Sequence, residues 1–240
     1  MKDLSLSAKA YILSTILIGF GLLAGMAAKL DWANTGLYLL AFLGAVAQTL
    51  KVEGPDARTN YSIAWFVYGF TFLLLGTAAA LFVVVISHLV DWIWHKYPWY
   101  IQSFNIAAHA VPVFLAGLVF GALSKGTPVL DLGSALGMAA ANLVFVFVNH
   151  FLVGLVVRLA RGQSFAHSGV FGFLTLFLDF TVLSMGTVTA VIWQTSQFSA
   201  LLNITPLYLL YNALRVPALQ RQLQEMRSMR ARVGLQPSGD

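Results

Sequence analysis

The sequence predicts an all-α, polytopic transmembrane helical bundle. Of its 240 residues, 59% are hydrophobic and only 10% are charged, whereas a soluble domain carries about 25% charged residues. The apolar runs are continuous, as in ILSTILIGFGLLAGMAA from position 12, and do not alternate in polarity as the strands of a membrane barrel do. So few charges cannot cover a solvated surface, and the chain is therefore predicted to lie in a lipid bilayer.

The absence of cysteine and the net charge restrict the kinds of site and partner that the protein is predicted to have. The chain has no cysteine, which excludes disulfides, thiolate metal sites and cysteine nucleophiles. Its net charge is +5. In a membrane protein such an excess of Lys and Arg is the positive-inside signal of cytoplasmic loops, so no nucleic-acid partner is predicted.

Seven apolar regions are candidates for membrane crossings. They run over 10–28, 35–50, 61–94, 104–123, 133–158, 168–194 and 197–213. The first follows Lys2 and Lys9 and resembles a signal peptide, but its apolar run is longer than the roughly 7–15 residues of the hydrophobic region of a signal peptide. It is therefore interpreted as a retained first span, with cleavage near GMAAK as the alternative.

The region 61–94 is too long for one span of about 20 residues and short for two. Gly76 lies near its middle, where a helix could end and the chain reverse. If the region returns to the side it left, twelve of the fourteen Lys and Arg residues share the side of the N-terminus, and only Lys29 and Lys125 lie opposite. A single crossing would divide them nine to five. The stronger bias predicts about eight spans with both termini cytoplasmic; six spans plus a re-entrant hairpin at 61–94 is the alternative.

The chain is predicted to divide into an integral membrane domain, 1–213, and a cytoplasmic segment, 214–240. The apolar residues after Pro217 are Leu219, Leu223, Met226 and Val233. Their three-, four- and seven-residue steps are typical of one face of an amphipathic helix. Two interpretations stay open: a basic helix lying on anionic lipid, or a connector to a cytoplasmic partner. The final QPSGD is predicted to be a disordered end.

Gly21 with Gly25 and Gly133 with Gly137 have the G-x-x-x-G spacing. This spacing is typical of a helix-dimerisation face, and a homodimer is one expectation that follows from it. Close packing of helices within one bundle is the favoured alternative.

Polar groups inside membrane spans are costly to bury and are therefore candidates for function. The candidate ligand-binding residues are His88, Asn105, His109, Asn142, Asn149, His150 and Asp179. The eight-span topology places His88, Asn105, His109 and His150 at a similar depth near the cytoplasmic side, with Asn142 two turns further out than Asn149. Asp179 is the one acid well inside a span. Together they predict a polar pocket for a ligand, a proton or a cofactor; hydrogen bonding between helices is the alternative for each residue.

The sequence identifies no cofactor. His109 and His150 could be axial haem ligands on facing helices, and His side chains with Asp179 could form a metal site, but neither spacing is diagnostic. The sequence contains no phosphate-binding loop, dinucleotide fingerprint, H-E-x-x-H or serine-nucleophile motif. The protein is therefore predicted not to be an enzyme and to hold no metal.

The region 60–123 carries a pattern of short motifs. These are NYS at 60–62, LLLG at 73–76, Asp91, PWY at 98–100 and FN at 104–105, and ITPLYLLYNALR follows at 204–215. They resemble the membrane-associated sensor (MASE-type) domains of bacteria, which precede HD-GYP or GGDEF enzymes or histidine kinases. The resemblance implies a multi-pass sensory module of the bacterial cytoplasmic membrane. The chain ends about 25 residues after the last span, so the signalling enzyme is expected to be a separate partner.

Three functions are compatible with these observations. The favoured one is a non-enzymatic sensory module that responds to a small ligand or to the state of the membrane and signals through its C-terminal helix. The second is the substrate-binding component of a small-molecule transporter, which would need a transporter partner. The third is a structural subunit of a larger membrane complex.

Overall fold

The computed structural model describes residues 1–2, 4–53, 60–124 and 131–232. The helices are α1 Leu6–Ala27, α2 Thr35–Thr49, α3 Ala64–His95, α4 Trp99–Ser124, α5 Leu132–Arg161, α6 Phe173–Thr195, α7 Gln197–Leu201 and α8 Ile204–Arg232. One turn of 3₁₀ helix, Ala166–Ser168, precedes α6. Five of the helices, α1 and α3 to α6, are long and apolar enough to cross a membrane. The predicted helical membrane class is confirmed at this level.

Two short strands, which the sequence did not predict, follow α2. β1 Val52–Glu53 and β2 Asn60–Tyr61 pair in antiparallel register, with Val52 opposite Tyr61. The pairing returns the chain to the end of α2 and delivers it to the start of α3. The all-helical fold class stands, and a pair of two-residue strands is too short to produce an alternating pattern in the sequence.

Helix α3 is a hairpin whose two arms meet at Gly76. Gly76 has φ 87° and ψ 178°, a conformation that is essentially restricted to glycine. His109 on α4 shows the consequence, because its ring centroid lies 6.0 Å from that of Tyr68 and 4.6 Å from that of His88. A straight helix would separate Tyr68 from His88 by about 30 Å. The chain reversal predicted near Gly76 is present.

Gly76→Ala is expected to destabilise the fold by about 1–3 kcal/mol, because an L-residue is strained in this conformation. A Cβ at position 76 would meet no atom within 4 Å, so the loss would come from the backbone alone. Gly121→Ala in α4 is the matched control, since its Cβ also meets nothing within 4 Å and its φ is negative. Alanine there is expected to stabilise α4 by up to about 1 kcal/mol. Equilibrium unfolding in mixed micelles measures both, and equal effects at the two positions would contradict the strain argument.

The α3 hairpin forms the centre of the bundle. Helices α2, α4 and α6 pack against it, and α1 and α5 pack against α4. The core contains fully buried side chains such as Tyr68, Leu81 and Val84. The outer face of α1 exposes Leu13 and Leu17, as a lipid-facing helix does.

The two glycine pairs have different surroundings. A Cβ on Gly137 would lie 3.3 Å from Leu123 Cβ of α4, so packing within the bundle is confirmed for this residue. Gly21 and Gly25 lie on the exposed face of α1, where an added Cβ would meet no atom within 4 Å. Packing within the described bundle is therefore wrong for the first pair.

The C-terminal region is one continuous helix that crosses the predicted boundary at 213 and passes through Pro217 without a break. Leu207 and Leu210 pack against the core of the bundle. Further along, α8 packs against β1, and Ala218 is buried. Beyond it, Leu219, Leu223 and Met226 are exposed. Val233, QPSGD, Arg58 and Lys125, which entered the sequence predictions, lie outside the described residues.

Candidate functional site

A cavity of about 220 Å³ lies between α2, α3, α4, α5 and α6. Six of the seven predicted polar residues line it, namely His88, Asn105, His109, Asn149, His150 and Asp179. The rest of the wall is formed by Gln48, Lys51, Ser62, Trp65, Val153, Val170 and Thr175. Sites for drug-sized ligands measure about 300–1,000 Å³. This cavity therefore suits a smaller molecule or several waters.

Asn142 does not line the cavity. It lies seven residues before Asn149, or about 10 Å away along α5. Its amide donates to Ser184 Oγ at 3.2 Å and to Thr187 Oγ1 at 3.0 Å, both on α6. Hydrogen bonding between helices is therefore the correct interpretation of Asn142, which joins α5 to α6 outside the cavity.

His150 and Asp179 form a buried pair between α5 and α6. His150 Nε2 lies 2.9 Å from Asp179 Oδ2. The other ring nitrogen, Nδ1, donates to the carbonyl oxygen of Val170 at 2.6 Å. Both nitrogens of His150 are thus engaged, and the loop before α6 and α6 itself fix the ring in the cavity wall.

His88 and His109 lie against each other in the cavity wall, with ring centroids 4.6 Å apart. His109 Nδ1 donates to the carbonyl oxygen of Asn105 at 2.9 Å. The Gln102 amide donates to the carbonyl oxygen of His88 and lies 3.4 Å from His88 Nδ1. His88 is only 2% exposed, and its Nε2 has no hydrogen-bond partner among the described residues. A buried polar atom without a partner is costly, so His88 is an unsatisfied member of the polar network that lines the cavity.

The Asn149 amide is hydrogen-bonded within the cavity wall and stabilises it. Its Nδ2 donates to the carbonyl oxygen of Ala108 on α4 at 2.8 Å. The Asn105 amide lies one turn before His109 and reaches Gln102 Oε1 at 3.4 Å. The Asn149 amide therefore holds the histidine-bearing segments of α4 and α5 together, whereas the Asn105 contact lies within α4.

A charged cluster lies at the Lys51 side of the cavity. Lys51 Nζ is 2.7 Å from Asp91 Oδ2, and His95 Nδ1 is 2.9 Å from Asp91 Oδ1. Asp91 is completely buried, whereas the Lys51 side chain is 18% exposed. Lys51 also lies over the Tyr97 ring, 5.7 Å from its centroid. Burial, and after it the nearby Asp91 carboxylate, raises the pKa of the Tyr97 phenol, which stays neutral at neutral pH.

Sequence reasoning missed Lys51 and Asp91 as partners. A signal was available, because Asp91 is the one acid in 61–94 and the predicted topology puts Lys51 on the same side of the membrane. Gln48 and Trp65 gave no comparable signal. Each lies at the end of an apolar region, where a polar or indole side chain is ordinary in a membrane protein.

The haem and metal interpretations find no support in this arrangement. His150 would have to release Asp179 or Val170 before it could bind iron, because both of its nitrogens are engaged. Across the described residues, no group of three or more His, Asp or Glu side chains is arranged to hold a metal ion.

No protein-family model matches the chain, and neither a curated protein nor a solved structure matches it. Function is therefore inferred from the cavity and from its connection to α8.

Proposed function

We propose that the protein is a membrane-embedded sensory module that binds a small polar molecule in the cavity and signals its occupancy through α8. The convergence of polar side chains from α2 to α6 in one cavity carries this proposal, together with His88, whose Nε2 has no partner in the part of the chain that the structure describes. Burying so many polar groups in a bilayer is costly and is typical of a functional site. Hydrogen bonding between helices explains why Asn142 is buried. It does not explain His88, whose Nε2 finds no partner among the described residues.

The charges of the wall favour a neutral ligand. Lys51 is paired with Asp91, and His150 is paired with Asp179. The molecule would need hydrogen-bond donors and acceptors for the imidazole and amide groups, together with a face that packs on Trp65. A neutral molecule of this kind enters without leaving either ion pair uncompensated.

A short path of contacts connects the cavity to α8. Gln48 and Lys51 in the cavity wall are followed directly by β1, against which α8 packs. Leu219, Leu223 and Met226 form an exposed apolar face on the same helix. This continuous helix favours a sensory module over a transporter component or a structural subunit, because it links the cavity to a surface that a signalling partner can reach.

Three of the residues in the motifs that resemble membrane-associated sensor domains lie at the same cavity. Ser62 and Asn105 line it, and Asp91 holds the Lys51 side chain that also lines it. LLLG at 73–76 lies instead at the tip of the α3 hairpin. The three positions at the cavity support the bacterial sensor interpretation, with a cytoplasmic signalling enzyme as the partner.

We infer eight crossings with both termini cytoplasmic. Leu74 and Leu75, next to the Gly76 turn, share a surface pocket with Lys29 and Asp31 of the loop between α1 and α2. The tip of the hairpin is thus level with a charged loop, which favours two crossings over a re-entrant hairpin. The charge bias between the two sides sets the orientation, with the cavity nearer the cytoplasm.

Native mass spectrometry of the protein in lipid nanodiscs tests ligand binding. The wild type is expected to carry a bound small molecule, which can be released, identified and titrated back. Asn105→Leu should weaken its binding about ten- to hundredfold, since a buried hydrogen-bonding group of the ligand loses its partner. Asn212→Leu, on α8 and outside the cavity, is the matched control. A ligand that binds both variants as tightly as the wild type does not occupy this cavity.

A further inference from the structure

The hydrogen bonds of His150 fix where its protons lie. A carbonyl oxygen can only accept, so the 2.6 Å contact with Val170 places a proton on Nδ1. In a neutral imidazole, Nε2 then carries only a lone pair. An ionised Asp179 also offers only lone pairs, so two acceptors would face each other across the 2.9 Å between Nε2 and Oδ2.

The observed geometry therefore requires one further proton in the pair. The proton is either on Nε2, giving an imidazolium beside a carboxylate, or on Asp179, giving a carboxylic acid that donates to a neutral imidazole. Both forms contain the same number of protons and are overall neutral. Both side chains are buried, 6% and 11% exposed. A carboxylate facing a neutral imidazole there would be uncompensated and therefore costly.

We propose that the His150–Asp179 pair is a proton-binding site, and that loss of its proton opens the contact between α5 and α6 on the cavity side. The proposal deepens the proposed function, because it rests on the same cavity and adds a regulator to it. Without the shared proton, the lone pair of Nε2 and the carboxylate repel each other, and the two helices lose this hydrogen bond. The Asn142 contacts with Ser184 and Thr187 do not depend on a proton, so the outer halves of α5 and α6 should stay together.

Other charged and titratable groups face the same cavity and enter the interpretation. They are His88 on α3, His109 on α4 and Lys51 after α2, with Asp91 on α3 paired to Lys51. Each could change the pH at which the pair releases its proton. None of them takes part in the hydrogen bond between α5 and α6. Asp179→Asn alters only the pair, so it distinguishes proton release by the pair from proton release by these other groups.

Asparagine at position 179 has nearly the shape of aspartate, and its amide can donate to the Nε2 lone pair of a neutral His150. The hydrogen bond is then kept between two neutral side chains, because an imidazolium buried beside an uncharged amide would lack a counter-charge. Titration of the purified full-length chain in nanodiscs, from about pH 5 to 9 where histidines and perturbed carboxyls titrate, should therefore release one proton more per chain from the wild type than from Asp179→Asn.

Distances between spin labels report the helix contact in the same samples. The chain has no cysteine, so cysteines placed at exposed Phe147 and Leu174 give one label each on α5 and α6. The wild type should shift to a longer distance as the pH rises, while Asp179→Asn stays at the short distance throughout. A second pair at exposed Leu143 and Val188, near the Asn142 end, should not change in either protein.

Three results would overturn the proposal: equal proton release from the two proteins, the same distance change in Asp179→Asn, or a wild type whose distance stays constant while its extra proton is released. The experiment contains no added small molecule. Its failure would therefore leave ligand binding standing, and failure to find a bound molecule would leave the proton site standing.

Discussion

Replacing Asp91 with asparagine is expected to lower the free energy of unfolding by about 3 kcal/mol, the lower end of the range for breaking a buried ion pair. The substitution leaves Lys51 and His95 without their shared carboxylate. The loss falls at the lower end because the Lys51 side chain is 18% exposed and can turn toward water. Equilibrium unfolding in mixed micelles measures it.

The double variant Lys51→Met with Asp91→Leu is the control for this loss. It removes both charges of the pair and replaces them with apolar groups, so no charge is left buried alone. It is expected to be more stable than Asp91→Asn, because removing a whole buried pair costs less than removing one partner. The losses of unfolding free energy of Lys51→Met and Asp91→Leu are also measured singly. A double variant whose loss equals their sum would mean that the two charges act independently.

Gly186→Leu is expected to force α6 away from α3 and to destabilise the fold by about 3 kcal/mol, near the upper end for overpacking. A Cβ at position 186 would collide with the backbone carbonyl of Phe66, and one at Gly69 would collide with that of Leu183. Two glycines thus allow the backbones of α3 and α6 to touch, as small residues do in membrane bundles. A backbone cannot move aside as a side chain can, so the helices must separate.

The same substitution should also weaken ligand binding, since α6 carries Asp179 two turns before Gly186. Gly25→Leu is the matched control, because an added Cβ there meets nothing within 4 Å. Thermal unfolding of both variants, followed by ligand titration of the folded fraction, separates the two effects. A Gly186→Leu protein as stable as Gly25→Leu would show that α3 and α6 do not make this close contact.

The location of the cavity could be predicted from the sequence because it follows from the direction in which each helix runs. Once the chain reverses at Gly76, His88, His109 and His150 must lie at a similar depth. Depth alone does not give contacts, and for that reason Asn142 was grouped with the others although its amide bonds to α6 instead. The shared proton of His150 was also beyond sequence reasoning, since it depends on the carbonyl of Val170, a backbone group that no sequence pattern identifies.

In the C-terminal region the sequence predicted a division that α8 crosses as one helix. The change in composition after Pro217 predicted a division at 213 between the membrane domain and a cytoplasmic segment. The structure keeps α8 continuous through it. A proline removes one backbone hydrogen bond from a helix and bends it. The helix continues past the proline where the residues on both sides remain helical.

A fusion of the full-length chain to a reporter histidine-kinase domain tests most directly whether α8 transmits the state of the cavity. The molecule identified by native mass spectrometry is added to cells that contain the wild type, Asn105→Leu or Thr195→Val, which lies on α6 away from the cavity wall. The account predicts that reporter output changes with the molecule in the wild type and in Thr195→Val, and that the response is lost or shifted to much higher concentration in Asn105→Leu. Output that ignores the molecule in a stably inserted wild-type fusion, or that responds equally in all three proteins, would contradict it.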